Sequence, residues 1–206
     1  MNDHRIVGLI LAGGGSRRMK PDKCWQQVDG IPMIVRALQA VMPVVDQVLV
    51  VGGSQAPEGT QLVPDEDPGA GPPAAIATGM QAAAADLYLV ASCDIPLVTS
   101  DLLQYLVDSA GDGDAVVPVV AAGREPLCAV YARRCLPAIK RALASGRRRV
   151  DSFYGDVQVR WIGETELAQF GPPERLLFNV NTPDDLAQAQ QMIASRKGDS
   201  FPEGPR

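Results

Sequence analysis

Histidine is almost missing from this chain: it occurs once in 206 residues, as His4, ahead of the first apolar run. A serine–histidine triad, a histidine-held zinc ion and an H-E-x-x-H metalloprotease helix all need imidazoles in the fold, so these classes are excluded. An excess of positive charge is missing too. The net charge is −5, whereas a general nucleic-acid binder carries a basic face or stripe. The apolar stretch Ile6 to Ala12 is too short to span a membrane. Arg17 and Arg18 follow it, whereas a secretory or twin-arginine signal puts its charge first. The expectation is a cytoplasmic chain without targeting or membrane segments. The four cysteines, Cys24, Cys93, Cys128 and Cys135, form no C-x-x-C pair. Their spacing suits neither a zinc site nor a dense disulfide framework, and predicts free, mostly buried thiols in a reducing compartment.

What remains for chemistry is carboxylate, lysine, arginine, backbone N–H and a hard metal ion, an inventory that suits phosphate chemistry. Apolar residues make up 46% of the chain, enough for one globular core. No repeat or linker divides it. A single domain over residues 1–195 is expected, its N-terminal part binding nucleotide and its C-terminal part an acceptor, followed by a polar flexible tail over 196–206. Short runs rich in Val, Ile and Leu predict strands at Ile6–Leu11, Gln47–Val51, Leu62–Val63, Leu87–Ala91, Ala115–Val119, Leu127–Tyr131 and Gln158–Trp161. Helical patterns fall at Pro32–Met42, Pro73–Ala85, Ser100–Asp108, Arg133–Ala144, Arg147–Tyr154 and Pro183–Ser195. Thr182 is a good N-cap for the last, with Asp184 and Asp185 favoured in its first turn. Apolar strands alternating with helices indicate a three-layer, Rossmann-like α/β fold with a mostly parallel sheet. Ligands of such sheets bind outside the carboxyl ends of the strands.

The first strand runs straight into Leu11-Ala12-Gly13-Gly14-Gly15-Ser16-Arg17-Arg18-Met19-Lys20-Pro21-Asp22-Lys23. Glycines let backbone N–H groups turn toward an anion and form a phosphate nest. Arg17, Arg18 and Lys23 bring the positive charge a triphosphate needs. A Walker A loop and a G-x-G-x-x-G fingerprint both fail, because Arg18, Met19 or Lys20 stands where the required glycine belongs. Three glycines alone would fit an ordinary tight turn; the added cations point to phosphate.

The pattern L-A-G-G-x-S-x-R-M-x-x-D-K resembles the signature loop of nucleotidyltransferases with the nucleotide-diphospho-sugar transferase fold, and within them the molybdenum cofactor guanylyltransferase family. The family usually has glycine after Met; Lys20-Pro21 here leaves Asp22 and Lys23 in register. The resemblance implies that Leu11, Ala12, Gly13, Gly14 and Lys23 bind nucleotide, with Arg17, Arg18 and Lys23 acting on the phosphates. It extends to Asp65 and the element Pro68-Gly69-Ala70-Gly71-Pro72. Asp65 is the implied nucleotide contact, with Asp67 as the nearby alternative. A carboxylate can accept both N1–H and N2–H of guanine, and acidic turn residues equally serve local turn formation.

Ser92-Cys93-Asp94-Ile95-Pro96 matches the family's C-D-x-P element, which makes Asp94 the implied Mg²⁺ ligand. One carboxylate plus substrate phosphates is the usual way to hold this ion, although Asp-x-Pro is also a common turn. Glu125-Pro126-Leu127 and Asn179-Val180-Asn181-Thr182-Pro183 resemble the family's acceptor-half motifs. Asn179, Asn181 and Arg147, the last from the densest basic run, are the acceptor-binding candidates. For the asparagines, capping and turn formation is the plainer reading. The implied reaction is GMP transfer from GTP to molybdopterin, with docking to molybdoenzymes or their chaperones and no role for nucleic acid or membrane. A relative using CTP or a sugar or alditol phosphate, or a non-catalytic nucleotide or cofactor carrier, remains open.

Overall fold

A computed structural model describes residues 4–13, 23–67 and 69–198. Gly14, Arg17 and Arg18, three of the predicted phosphate-loop residues, lie outside the described residues, as do 199–206 of the predicted tail. The strands are β1 (Ile6–Leu11), β2 (Gln27–Val28), β3 (Ile31–Pro32), β4 (Gln47–Val51), β5 (Gln61–Val63), β6 (Leu87–Ser92), β7 (Ala115–Val120), β8 (Gly123–Arg124), β9 (Cys128–Ala132) and β10 (Val159–Ile162). The helices are α1 (Met33–Val41), α2 (Pro72–Ala82), α3 (Ser100–Asp108), α4 (Leu136–Ala144), α5 (Glu164–Leu167), α6 (Pro173–Leu176) and α7 (Pro183–Gly198).

The main sheet has the order β10-β7-β9-β6-β1-β4-β5, with β8 paired to β7 as a hairpin. Its centre is parallel: β1 lies between β4 and β6, and β4 pairs in parallel with β5. Strand β9 runs antiparallel to both β6 and β7. Side chains of successive strand residues leave on opposite faces, and both faces are covered, which is why the central strands read as continuous apolar runs. In β1, Val7, Leu9 and Leu11 join one cluster with α2 and α4, while Ile10 joins the other with α1 and α3. Tyr88 and Val90 of β6 join the first cluster, and Leu87, Leu89 and Ala91 the second.

Backbone contact is close where a side chain is absent. A Cβ on Gly8 of β1 would lie 2.5 Å from Cγ1 of buried Val41, so α1 rests directly on the strand. Asp29 (φ 52°) and Gly30 (φ 75°) turn the short β2–β3 hairpin, the left-handed pair that an Asp-Gly turn between strands favours. Val28 of this hairpin and Met33, the first residue of α1, form a third, smaller cluster with Val180 and with Ala189 of α7.

Three expectations are corrected. The segment 147–154 is not an α-helix: Gly146 (φ 73°) ends α4, and 3-10 turns cover Val150–Asp156. Three cations at a helix start would oppose its dipole, and Arg149 is extended instead. Helix α7 continues through Gly198, three residues past the predicted helix end at Ser195. Not all cysteines are free: Cys24 and Cys93 form a disulfide, 69 residues apart in sequence. The spacing rule looked for dense frameworks and had no means of seeing a single long-range pair. Cys128 and Cys135 are free and buried, and burial pushes both thiols up to about 12.

Candidate active site

Strand β1 delivers Leu11, buried, and then Ala12 and Gly13 to the carboxyl edge of the sheet. Ala12 N–H donates to the Val51 carbonyl at 3.0 Å, so this turn is tied to the end of β4. The two turns touch through backbone alone. Gly52 has φ 78°, and a Cβ there would fall 2.9 Å from Gly13 Cα. Glycine at both positions lets the main chain itself form the floor of the edge.

Strand β6 ends next to it, and Cys93 N–H donates to the Leu11 carbonyl at 3.2 Å. Asp94 follows, at the edge where the sequence placed it. Its Oδ2 accepts from Lys23 Nζ at 3.0 Å, and both side chains are mostly shielded from solvent. Lys23 Nζ also donates to Asn181 Oδ1 at 2.9 Å. Val180 N–H donates to the Asp94 carbonyl at 2.8 Å. Residues from three distant parts of the chain therefore meet around one ammonium group.

The position of Asn181 is built locally. Asp185 Oδ2 accepts from both Asn181 N–H and Thr182 N–H at 2.8 Å, and Thr182 Oγ1 accepts from Asp185 N–H at 3.1 Å. This is a capping arrangement at the start of α7, and these N–H donors hold the Asp185 carboxyl below its ordinary range. Asn179 donates to the Leu177 carbonyl at 3.3 Å and, at 3.5 Å, to Glu125 Oε2. Glu125 was quoted above only as part of a motif. Burial raises its carboxyl above the usual range, Asn179 opposes the shift, and the nearby Asp94 charge adds to it. Nothing in local patterning shows that Glu125 faces Asp94; only the antiparallel pairing of β9 with β6 brings them together.

Asp94 suits a cation. Its Oδ1 is buried and has no hydrogen-bond partner, while Oδ2 takes the lysine. Among the described residues no group of three or more His, Cys, Asp or Glu could cage a metal. A single carboxylate with an unsatisfied oxygen fits an ion that takes its remaining ligands from phosphates and water.

The other expected residues are engaged with their own neighbours. Asp65 is half-buried and accepts from Asp67 N–H at 3.2 Å, an Asx turn that keeps Oδ1 locally engaged. Arg148 Nη1 donates to the Gly69 carbonyl at 2.8 Å, joining this turn to the segment that follows α4. Arg147 donates to the Ser152 carbonyl at 2.6 Å and lies 4.0 Å from Asp156. Its neighbours Arg148 and Arg149, with Arg124, Pro72, Leu127 and Asp151, line a cavity of about 640 Å³. Arg149 holds Asp151 in a two-pronged pair at 3.0 and 2.9 Å, and Arg124 stacks over Trp161 at 4.8 Å. The cavity adjoins the centre, since the Leu127 carbonyl accepts from Ser92 N–H at 2.8 Å.

A family model described as the MobA-like NTP transferase domain matches residues 8–158. The chain belongs to the MobA-like NTP transferase family. Within it, the chain is 35% identical to a probable molybdenum cofactor guanylyltransferase of Pelotomaculum thermopropionicum, covering 94% of this chain and 96% of that one. It is 33% identical to the molybdenum cofactor guanylyltransferase of Desulfosudis oleivorans, covering 91% and 96%. The crystal structure of molybdopterin-guanine dinucleotide biosynthesis protein A from Archaeoglobus fulgidus superposes with a TM-score of 0.78 at 26% identity, covering 92% and 99%. The expected fold class and family are borne out, and this MobA-like chain is a nucleotidyltransferase.

Proposed function

We propose that the protein transfers GMP from GTP to molybdopterin in the cytoplasm, giving the guanine dinucleotide form and pyrophosphate for delivery to molybdoenzymes or their chaperones. The observation that carries this reading is the convergence of Lys23, Asp94 and Asn181 at the carboxyl edge of β1 and β6. A phosphate of the acceptor attacks the α-phosphorus of GTP in line, and pyrophosphate leaves. No protein nucleophile is required, because a phosphate oxygen is already ionised at neutral pH.

Lys23, together with Arg17 and Arg18 of the glycine-rich loop and its backbone N–H groups, neutralises the charge that grows on the leaving pyrophosphate. Leu11, Ala12, Gly13 and Gly14 bind the nucleotide, and Asp65 reads the guanine edge. Mg²⁺ held by Asp94 supplies charge neutralisation to the phosphate oxygens when bound. Asn179, Asn181 and the arginine run from Arg147 orient the acceptor. The cavity lined by Arg124, Arg148 and Arg149 supports this, since guanidinium groups beside an apolar wall suit an anionic ring system.

The test is calorimetric titration with GTP, CTP and ATP, each with Mg²⁺, on the parent and on Asp65→Ala. The expected result is a GTP preference that collapses in the variant. A preference for CTP would move the activity to a cytidylyltransferase. Binding without turnover on molybdopterin would make the protein a carrier.

A further inference from the structure

The disulfide has a position that the transfer reaction does not use. Cys24 follows Lys23 and Cys93 precedes Asp94 in sequence, so the bridge joins the two backbones that carry the central ion pair. It holds their Cα atoms 5.5 Å apart. With the bridge closed, Lys23 occupies Asp94 Oδ2 at 3.0 Å and the unpartnered Oδ1 is buried, so an ion reaches this carboxylate only once the lysine moves aside.

We propose that Cys24 and Cys93 are a reversible redox modification site that switches metal binding at Asp94, closed when the bridge is formed and open when it is reduced. The inference rests on the reading of Lys23 and Asp94 given above. Disulfides in reducing compartments are mostly transient and serve catalysis or redox sensing. A bridge between neighbours of two site residues fits that use better than a structural staple would.

The chemistry balances as thiol–disulfide exchange with a low-molecular-weight disulfide. One cysteine thiolate attacks the small disulfide, expelling one small thiol and forming a mixed disulfide. The second cysteine then attacks the protein sulfur, forming the Cys24–Cys93 bond and releasing the other small thiol. The two cysteine protons end on the two small thiols, the protein sulfurs are oxidised, and the small disulfide is reduced. Entry is at Cys24, which keeps 9% exposure against 5% for Cys93. The reduced form has a ready partner, because Cys24 Sγ lies 3.6 Å from the Ala12 carbonyl oxygen. Reduction thus turns a covalent tie into a weak thiol contact on the nucleotide-facing turn. The Lys23 segment is then free to move off Asp94 and onto incoming phosphates.

The experiment compares full-length protein equilibrated with oxidised or reduced glutathione, using Mn²⁺ as the probe. Thiols are counted in denaturant, Mn²⁺ affinity is measured by electron paramagnetic resonance, and GMP transfer is assayed in parallel. Two thiols are expected in the oxidised form and four in the reduced form. Mn²⁺ affinity is expected to be about tenfold weaker when oxidised. Linkage requires the reciprocal effect, so saturating Mn²⁺ makes the bridge about tenfold easier to reduce, or about 30 mV for two electrons. Cys24→Ser is expected to bind Mn²⁺ like the reduced protein under both conditions. Four thiols in both states, equal Mn²⁺ affinities in the two states of the parent, or an oxidant response retained in Cys24→Ser would each overturn the switch. A redox-dependent Mn²⁺ affinity without any GMP transfer would uphold the switch while refuting the proposed reaction.

Discussion

Lys23 sits 3.0 Å from Asp94 and 2.9 Å from Asn181, which in the proposed reaction puts its amino group where phosphate charge arrives. Removing either partner should have different consequences. Asp94→Ala is expected to lower turnover on the order of a thousandfold, comparable to loss of a group that stabilises transition-state charge. Most of the GTP affinity should persist, because the loop amides and cations remain. Steady-state kinetics beside calorimetry would separate the two, and parental turnover would remove Asp94 from the site. Lys23→Ala is expected to weaken both binding and rate; unchanged values for both would remove it as well. Asp94 was legible before folding because a carboxylate just past a buried strand must lie at the sheet edge. Glu125 was not, because its neighbourhood with Asp94 depends on how β9 is threaded back beside β6.

Among the elements, β1 and α1 are held together by an absence. Gly8→Ala puts a Cβ 2.5 Å from Cγ1 of Val41, whose branched side chain is fully buried. Overpacking of this kind costs roughly 1–3 kcal/mol. In a double-mutant cycle with Val41→Ala, the pair is expected to be less destabilised than the sum of the two single changes. Strict additivity in denaturant titrations would contradict the direct strand–helix contact. On the other side of the sheet, Asp114 ties β7 to the start of β10. It accepts from Gln158 N–H at 2.8 Å and pairs with Arg134. The Gln158 N–H and Arg134 hold its carboxyl below the ordinary range despite the opposing effect of burial.

A depressed carboxyl contributes stability that is fully present above the unfolded value of about 4 and is lost as pH falls through the folded one. Asp114→Asn should therefore cost about 1 kcal/mol at neutral pH. The gap to the parent should close in acid, below the folded value. Thermal melts across pH would check this, and a gap that widens in acid would refute it.

For the molecule as a whole, the bridge between Cys24 and Cys93 closes a loop of 69 residues. In the chain-entropy model a loop of that length stabilises the fold by about 4 kcal/mol, mainly by restricting the unfolded chain. For a chain of this size that corresponds to a melting temperature about 10 °C lower on reduction. Calorimetry with and without reductant measures it, and identical melts would mean that the bridge does not contribute in solution. The largest part of the architecture was readable from the chain. The seven predicted strands and most helices fall within a few residues of their observed bounds, because apolar runs and Pro, Thr and Gly punctuation act locally.

The sequence by itself determined the layered α/β architecture, the glycine-rich turn after β1 and the aspartate after β6. Each of these follows from the periodicity or chemistry of a few consecutive residues. Only the tertiary structure decided that Lys23 meets Asn181 across 158 residues, through the small cluster of Val28, Met33, Val180 and Ala189. It likewise decided that Glu125 faces Asp94, that Arg148 and Arg149 line the cavity beside it, and that two cysteines pair. Such contacts arise from packing of distant segments, and a pattern confined to neighbours along the chain carries no record of which of them will touch.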